Sequence, residues 1–405
     1  MSSSGSSDHR HAVFASFLGW TLDAFDFFLV VMTLTAIAHD FHVTDAKIAW
    51  SLTLTLAFRP VGAFIFGLLA DRYGRRLPLM LDLVFFSIVE VLSGLAPSLT
   101  TFLILRALFG IGMGAEWGVG ASLVMEKVPA KYRGVFSGLL QQGYALGYLL
   151  AALAYWFVFP HWGWRPLFFI GGLPALLALY VRTRVTESEV WEQTKHADWT
   201  QLTRAIAANW KVFLFIVLLS TVMIFCSHGT QDLYPTFLQR QWGFTPANRA
   251  ALTAFSQVGA LIGGVLAGLF SDTIGRRKAI VLSLGFGILV IPLWARAPSI
   301  AVLVAGAFLM QAAVQGAWGV IPAHLNELSP DGVRGFLPGF AYQCGVLFGG
   351  TIVTIQAHAA ERVDYRIVMA ASAAMVFTLA GIVAWLGPER RGVEYGAGAS
   401  FTTRR

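Results

Sequence analysis

Apolar residues in this 405-residue chain neither alternate nor form isolated stripes; they gather into twelve long runs separated by short polar breaks. The runs cover residues 13–37, 47–70, 77–96, 100–123, 134–159, 164–182, 211–238, 247–271, 278–297, 299–323, 335–359 and 365–387. About 20 mostly apolar residues make a helix long enough to cross the hydrocarbon layer of a bilayer. The pattern therefore predicts an all-α membrane protein with twelve transmembrane helices.

The longest polar break, residues 183–210, divides the chain into segments 13–182 and 211–387, with tails at 1–12 and 388–405. It reads as a solvated linker with an amphipathic helix, and the Ser-rich stretch Met1 to His11 reads as disordered. The two segments are copies. Gly67 to Arg76 (GLLADRYGRR) returns 201 residues later as Gly268 to Arg277 (GLFSDTIGRR). In the same register Glu126, Pro129, Arg133 and Gly134 return as Glu327, Pro330, Arg334 and Gly335, and Trp117-Gly118 as Trp318-Gly319. Duplication predicts two pseudo-symmetric six-helix bundles around a central cavity, with a ligand held between them near mid-membrane.

Composition agrees: 56% of residues are hydrophobic and 13% charged, with mean hydropathy +0.66, against roughly 25% charged in soluble domains. The net charge of +7 is a matter of sidedness. With the N-terminus inside, 20 of the 29 Lys and Arg residues fall in the tails and inner loops and seven in the opposite loops, leaving Arg59 and Arg106 within the membrane. By the positive-inside rule both termini are cytoplasmic, in a plasma (cell inner) membrane, and nothing calls for nucleic acid as a partner. No cleavable signal peptide is read, because the first run is too long and contains Asp23 and Asp26. Cys226 and Cys344 lie within apolar runs and read as buried small residues rather than a disulfide.

Polar residues inside the runs are the candidate chemistry, since ionisable groups at membrane depth mark ion or substrate paths. Asp23 and Asp26 share one face of the first helix. Arg59 sits roughly 18 Å from either end of the second and needs an anion, either one of those aspartates or a substrate carboxylate that matches its fork. The third helix holds Asp82 and Glu90, to which no role is assigned. In the fourth, Arg106 precedes Gly110, Gly114 and Gly118, a stripe that allows close backbone approach, and Glu116 is a further proton-carrier candidate. Gln141, Tyr144 and Tyr148 line one face of the fifth. The seventh carries Ser227, His228, Gln231 and Asp232 in two adjacent ribbons; the tenth carries Gln311, Gln315 and Trp318, and the eleventh Tyr342 and Gln343.

The apolar run, GxxxDxxGRR turn, apolar run, present twice, resembles the major facilitator superfamily of secondary transporters. That resemblance implies two bundles rocking about a central site. Arg106 with its glycines is similar to a helix-four signature of the superfamily, which implies a part in proton coupling. The Gly-Pro antiporter signature of helix five is absent. The run from Ile224 to Thr236 (IFCSHGTQDLYPT) resembles the signature NxxS/THxS/TQDxxxT of the sialate/carboxylate proton symporter branch, the fungal lactate/proton symporters among them. Ser227, His228, Thr230, Gln231, Asp232 and Thr236 match; Ile224 replaces the leading Asn.

Together these predict a proton-coupled symporter of a small organic anion, a monocarboxylate such as lactate or pyruvate, working by alternating access as a monomer. Arg59, Gln141, Tyr144, Ser227, His228, Gln231, Gln315, Trp318 and Gln343 are expected to bind substrate. Asp23, Asp26, Glu116, Asp232 and Arg106 are expected to couple protons. Asp71, Arg75, Arg76, Asp272, Arg276 and Arg277 are expected to form a gate, with the aspartates on helix N-termini and the arginines pairing across the halves. A larger sialic or aromatic acid is the alternative cargo. A non-transporting receptor would carry a long cytoplasmic extension, and an enzyme would need a metal, nucleotide or nucleophile motif that is not found; no cofactor or metal is expected.

Overall fold

A computed structural model describes residues 4–195 and 198–396. The ends of both predicted tails, Met1 to Ser3 and the stretch with Arg404 and Arg405, lie outside the described residues, as do His196 and Ala197 of the linker. Twelve helices are long and apolar enough to span a membrane. They are α1 (His9–Asp40), α2 (Lys47–Tyr73), α3 (Arg76–Gly94), α4 (Leu99–Lys127), α5 (Ala130–Trp162), α6 (Arg165–Arg184), α7 (Trp210–Trp242), α8 (Ala247–Ile274), α9 (Arg276–Ala295), α10 (Ile300–Leu328), α11 (Leu337–Ala359) and α12 (Tyr365–Leu386). Each matches a predicted run, and no strand occurs among the described residues.

Two stretches differ from expectation. The first helix already begins at Ser4, so the part of the N-terminal tail from there on is ordered rather than disordered. The end of the tail is held by tertiary contacts: His9 meets Phe136 edge-on, His11 Nδ1 lies 2.7 Å from the Tyr180 hydroxyl, and Phe14 packs edge-on against the same Tyr180 ring. The linker holds two short helices, Glu189–Thr194 and Trp199–Ala208, where one was expected.

Close backbone packing fixes the interior of each half. A Cβ on Gly110 would fall 2.2 Å from the Thr55 carbonyl oxygen, and one on Gly114 would fall 1.9 Å from that of Arg59. Thus α4 lies directly on the α2 backbone, as small-residue membrane interfaces allow. The second half repeats this where Gly259 and Gly263 of α8 meet the carbonyls of Phe308 and Ala312 on α10. In the duplicated turns Gly74 has φ +101° and Gly275 φ +103°, a backbone state that only glycine adopts without strain.

The halves meet through α2, α4 and the first part of α5 on one side, and α8, α10 and the first part of α11 on the other. These segments lie toward the face that carries both termini. Several spans are broken within their length. The α5 span divides around Gln142, α7 between Gln231 and Tyr234, and α11 between Val346 and Gly350. In α7 the cause is Pro235, which has no N–H to offer the Gln231 carbonyl one turn back. Broken helices of this kind are tolerated where they line a cavity or are covered by protein.

Candidate functional site

Arg59 is held by the tight α2–α4 contact and is only 5% exposed. Its Nε and Nη2 meet no acceptor among the described residues. The guanidinium lies 6.0 Å from the Trp20 ring centre and within reach of the Tyr342 hydroxyl. Around it stand aromatic side chains from both halves, and the place where they meet is called the chamber below. Trp20 stacks on Tyr144 at 5.7 Å, and Trp117 on Tyr342 at 4.2 Å, while Trp318 meets Tyr342 edge-on at 5.9 Å. The symmetry-related Trp117 and Trp318 donate their indole N–H groups to Gln141 (3.2 Å) and Ser227 (2.5 Å), each within its own half. Trp20 and Trp117 are absent from the site read from the sequence, which picks out Tyr342 but gives it no role. The repeat of Trp117-Gly118 as Trp318-Gly319 was the available signal for one of them.

In the second half His228 Nδ1 lies 2.8 Å from Asp232 Oδ2, with the two side chains 36% and 40% exposed. Gln231 donates to Gln311 at 3.1 Å, and Gln315 is half-buried on the same helix as Gln311. The wholly buried Gln343 reaches across to the Gly114 carbonyl, at 3.4 Å. Tyr144 is within electrostatic reach of Arg59, Tyr342, Asp232 and Asp23. Candidate residues of both halves therefore converge on one space. Cys226 is buried with its thiol toward the Val376 carbonyl, whereas Cys344 is half-exposed; both are free.

The carboxylates of the first half lie deeper. Asp23, Asp26 and Glu116 are at most 1% exposed, and none of their side-chain oxygens has a hydrogen-bond partner among the described residues. Neither aspartate is hydrogen-bonded to Arg59 or to a hydroxyl among the described residues, although Asp23 lies within electrostatic reach of Arg59. Glu116 packs against Gly19 of α1, where a Cβ would fall 2.0 Å from its Oε1. Arg106 has a partner that went unassigned: its Nη2 lies 2.6 Å from Glu90 Oε2 and 2.5 Å from Ser93 Oγ. Asp82, also unassigned, is buried, and neither oxygen has a hydrogen-bond partner among the described residues.

At the face with the termini, Asp71 accepts the N–H groups of Gly335 (2.7 Å) and Phe336 (2.9 Å), just before α11. Asp272 accepts those of Gly134 (2.7 Å) and Val135 (3.0 Å) in α5. Each carboxylate thus reaches backbone of the other half. The arginines do not pair across the halves as expected. Arg75 binds Asp71 (2.6 Å) and Glu126 (2.9 Å), and Arg276 binds Asp272 and Glu327 (both 2.8 Å), all within their own half. Arg76 donates to the Arg182 carbonyl, and Arg277 lies 5.4 Å from the Trp385 ring. The reason is the turn: Gly74 and Gly275, at positive φ, fold each arginine at the start of the next helix back onto the aspartate in the last turn of the one before. The pairs that do cross are Arg334–Glu126 (3.6 Å) and Arg133–Glu327 (3.9 Å). Burial works against the charge on Arg75, but Glu126 and Asp71 outweigh it and raise its affinity for the proton further.

Two duplicated helical halves, a chamber walled by both and a charged seam closing one end define a polytopic membrane transporter. The sequence profile described as Major Facilitator Superfamily matches residues 12–245 and 232–401, and the chain belongs to that family. It is 28% identical over 417 residues to the "Carboxylic acid transporter protein homolog" of Saccharomyces cerevisiae, covering 93% of this chain and 68% of the relative. It is 29% identical to the "Sialic acid transporter NanX" of Escherichia coli, covering 84% of each. Among solved structures, the proton:xylose symporter XylE bound to 6-bromo-6-deoxy-D-glucose superposes with TM-score 0.77 at 19% identity, over 97% of this chain and 98% of that one.

Proposed function

We propose that the protein is a proton-coupled symporter of an organic monoanion, a short monocarboxylate such as lactate or pyruvate, with both termini cytoplasmic in the cell inner membrane. The observation that carries the reading is Arg59: a buried cation at the chamber whose Nε and Nη2 meet no acceptor among the described residues. Leaving such a charge uncompensated costs several kcal/mol. A carboxylate fits the guanidinium fork with two parallel hydrogen bonds, and two of the relatives are named for carboxylic and sialic acids. Proton coupling is supported by the buried carboxylates Asp23, Asp26 and Glu116 beside the chamber and by the His228–Asp232 pair within it. A carboxyl removed from water without a partner is favoured in its neutral form. In this reading the chamber is accessible from outside while the seam closes the cytoplasmic face, and the protein works as a monomer.

One observation favours a larger cargo. Trp20, Tyr144, Trp117, Tyr342 and Trp318 around Arg59 offer stacking faces that a three-carbon acid does not use. Competition against labelled lactate in counterflow separates the two: pyruvate should compete and benzoate and sialate should not. Competition by benzoate or sialate alone would move the assignment to ring-bearing acids.

A further inference from the structure

The chain after α12 does not leave the protein at the membrane face but turns back over the join between the halves. Glu389 accepts the Arg277 N–H at 3.0 Å, and Arg391 donates to the Thr273 carbonyl. Gly392 N–H reaches Glu327 Oε1 at 3.4 Å, and Gly396 N–H reaches Asp331 Oδ2 at 3.0 Å. These anchors all belong to the second half. From the first half, Arg133 Nη1 donates to the Val393 carbonyl at 2.5 Å.

Tyr395 closes the bridge. Its ring centre lies 3.4 Å from Cζ of Arg133 and 3.5 Å from Cζ of Arg334. These arginines come from opposite halves, and they are the two that face Glu327 and Glu126 across the seam. An aromatic face attracts a guanidinium through its quadrupole, more strongly when water is excluded. The ring also separates two like charges that would otherwise repel. Burial, opposed by both arginines, pushes the Tyr395 hydroxyl up to about 12. The ring therefore stays neutral at physiological pH.

We infer that residues 388–396 form a releasable strap that holds the termini-bearing face of the transporter shut, with Tyr395 as its pin. Opening that face requires α5 to part from α8 and α2 from α11. That movement separates Arg133 from Arg334, and one ring cannot stay on both. Every opening then breaks at least one ring–guanidinium contact and the Arg133–Val393 hydrogen bond or its second-half counterparts. Contacts made only in the closed state shift the population toward it by their differential free energy. The strap thus sets how often the face opens, whatever the cargo.

The test is thiol reactivity of the full chain in lipid nanodiscs, in a background carrying Cys226→Ser and Cys344→Ser. Ser137 of α5, whose Oγ accepts the Ala323 N–H of α10 at 2.9 Å, is buried at the join, so Ser137→Cys reports its opening. Ala373→Cys, in the buried core of α12, reports general loosening. Tyr395→Ala should raise maleimide labelling of the Ser137→Cys thiol about tenfold, or about 1.4 kcal/mol, and leave the Ala373→Cys thiol unchanged. Tyr395→Phe keeps both ring faces and should stay within about twofold of the parent. Labelling at the parent rate in Tyr395→Ala, equal effects of Ala and Phe, or a parallel rise at both reporters would each overturn the strap. No substrate is needed, so the outcome is independent of the cargo proposed above.

Discussion

A guanidinium midway along its span, with two donor positions unmet among the described residues, sets strict terms for what binds beside it. If Arg59 holds the substrate carboxylate, Arg59→Lys replaces a planar fork by a point charge. Losing one charge-assisted hydrogen bond costs about 1.5–3 kcal/mol, so substrate affinity measured by binding should fall tenfold or more with folding intact. Recovery of binding when Asp23 or Asp26 is also removed would show that Arg59 serves those aspartates instead. The His228–Asp232 pair makes a different prediction. Asp232→Asn keeps the shape and removes the charge that can exchange a proton, so counterflow exchange should survive within about twofold while pH-driven accumulation is lost. Accumulation that persists would move the proton to Asp23, Asp26 or Glu116; loss of exchange as well would place the pair in the substrate site. Legibility at this scale was uneven. Single ionisable residues in apolar runs stand out, which made Arg59, Asp23 and Asp232 visible. Trp20 and Trp117 do not, because an aromatic residue on a membrane helix looks the same whether it faces lipid, core or chamber.

At the scale of helices, the duplicated turns act through caps. The Asp71 oxygens accept two backbone N–H groups at the start of α11, where an anion is favoured by the unpaired donors and the helix dipole. In Asp71→Asn only one oxygen can accept, and the charge opposite Arg75 is gone. This variant should open the termini-bearing face more often, with labelling of the Ser137→Cys reporter rising about tenfold, and Asp272→Asn should act in the same direction by symmetry. Unchanged labelling and transport rate would reduce the turn to a topological anchor. The twelve spans and the 201-residue register could be read from the chain because both are carried by local pattern. The crossing pairs could not be read: Arg133 and Arg334 were visible as repeats, yet only the facing of the two halves brings each to the other half's glutamate. The breaks in α5 and α11 were hidden for a related reason, since hydropathy does not register a missing backbone hydrogen bond, whereas Pro235 was the signal for the break in α7.

For the whole molecule, the central claim is that a proton and an organic monoanion cross together. Their joint movement carries no net charge, so the membrane potential, about 2.3 kcal/mol per charge per 100 mV, does no work on it. A pH difference of one unit supplies about 1.4 kcal/mol, enough for about tenfold accumulation at one proton per anion. The most direct measurement is uptake of labelled lactate, with a parallel sialate arm, into proteoliposomes of the purified full chain, at about pH 6 outside and about pH 7 inside, with and without a potassium–valinomycin potential. Accumulation approaching tenfold, abolished by a protonophore and indifferent to the imposed potential, is the predicted result. Uptake of either acid that is equal with and without the pH difference, or that follows the potential instead, would contradict the account.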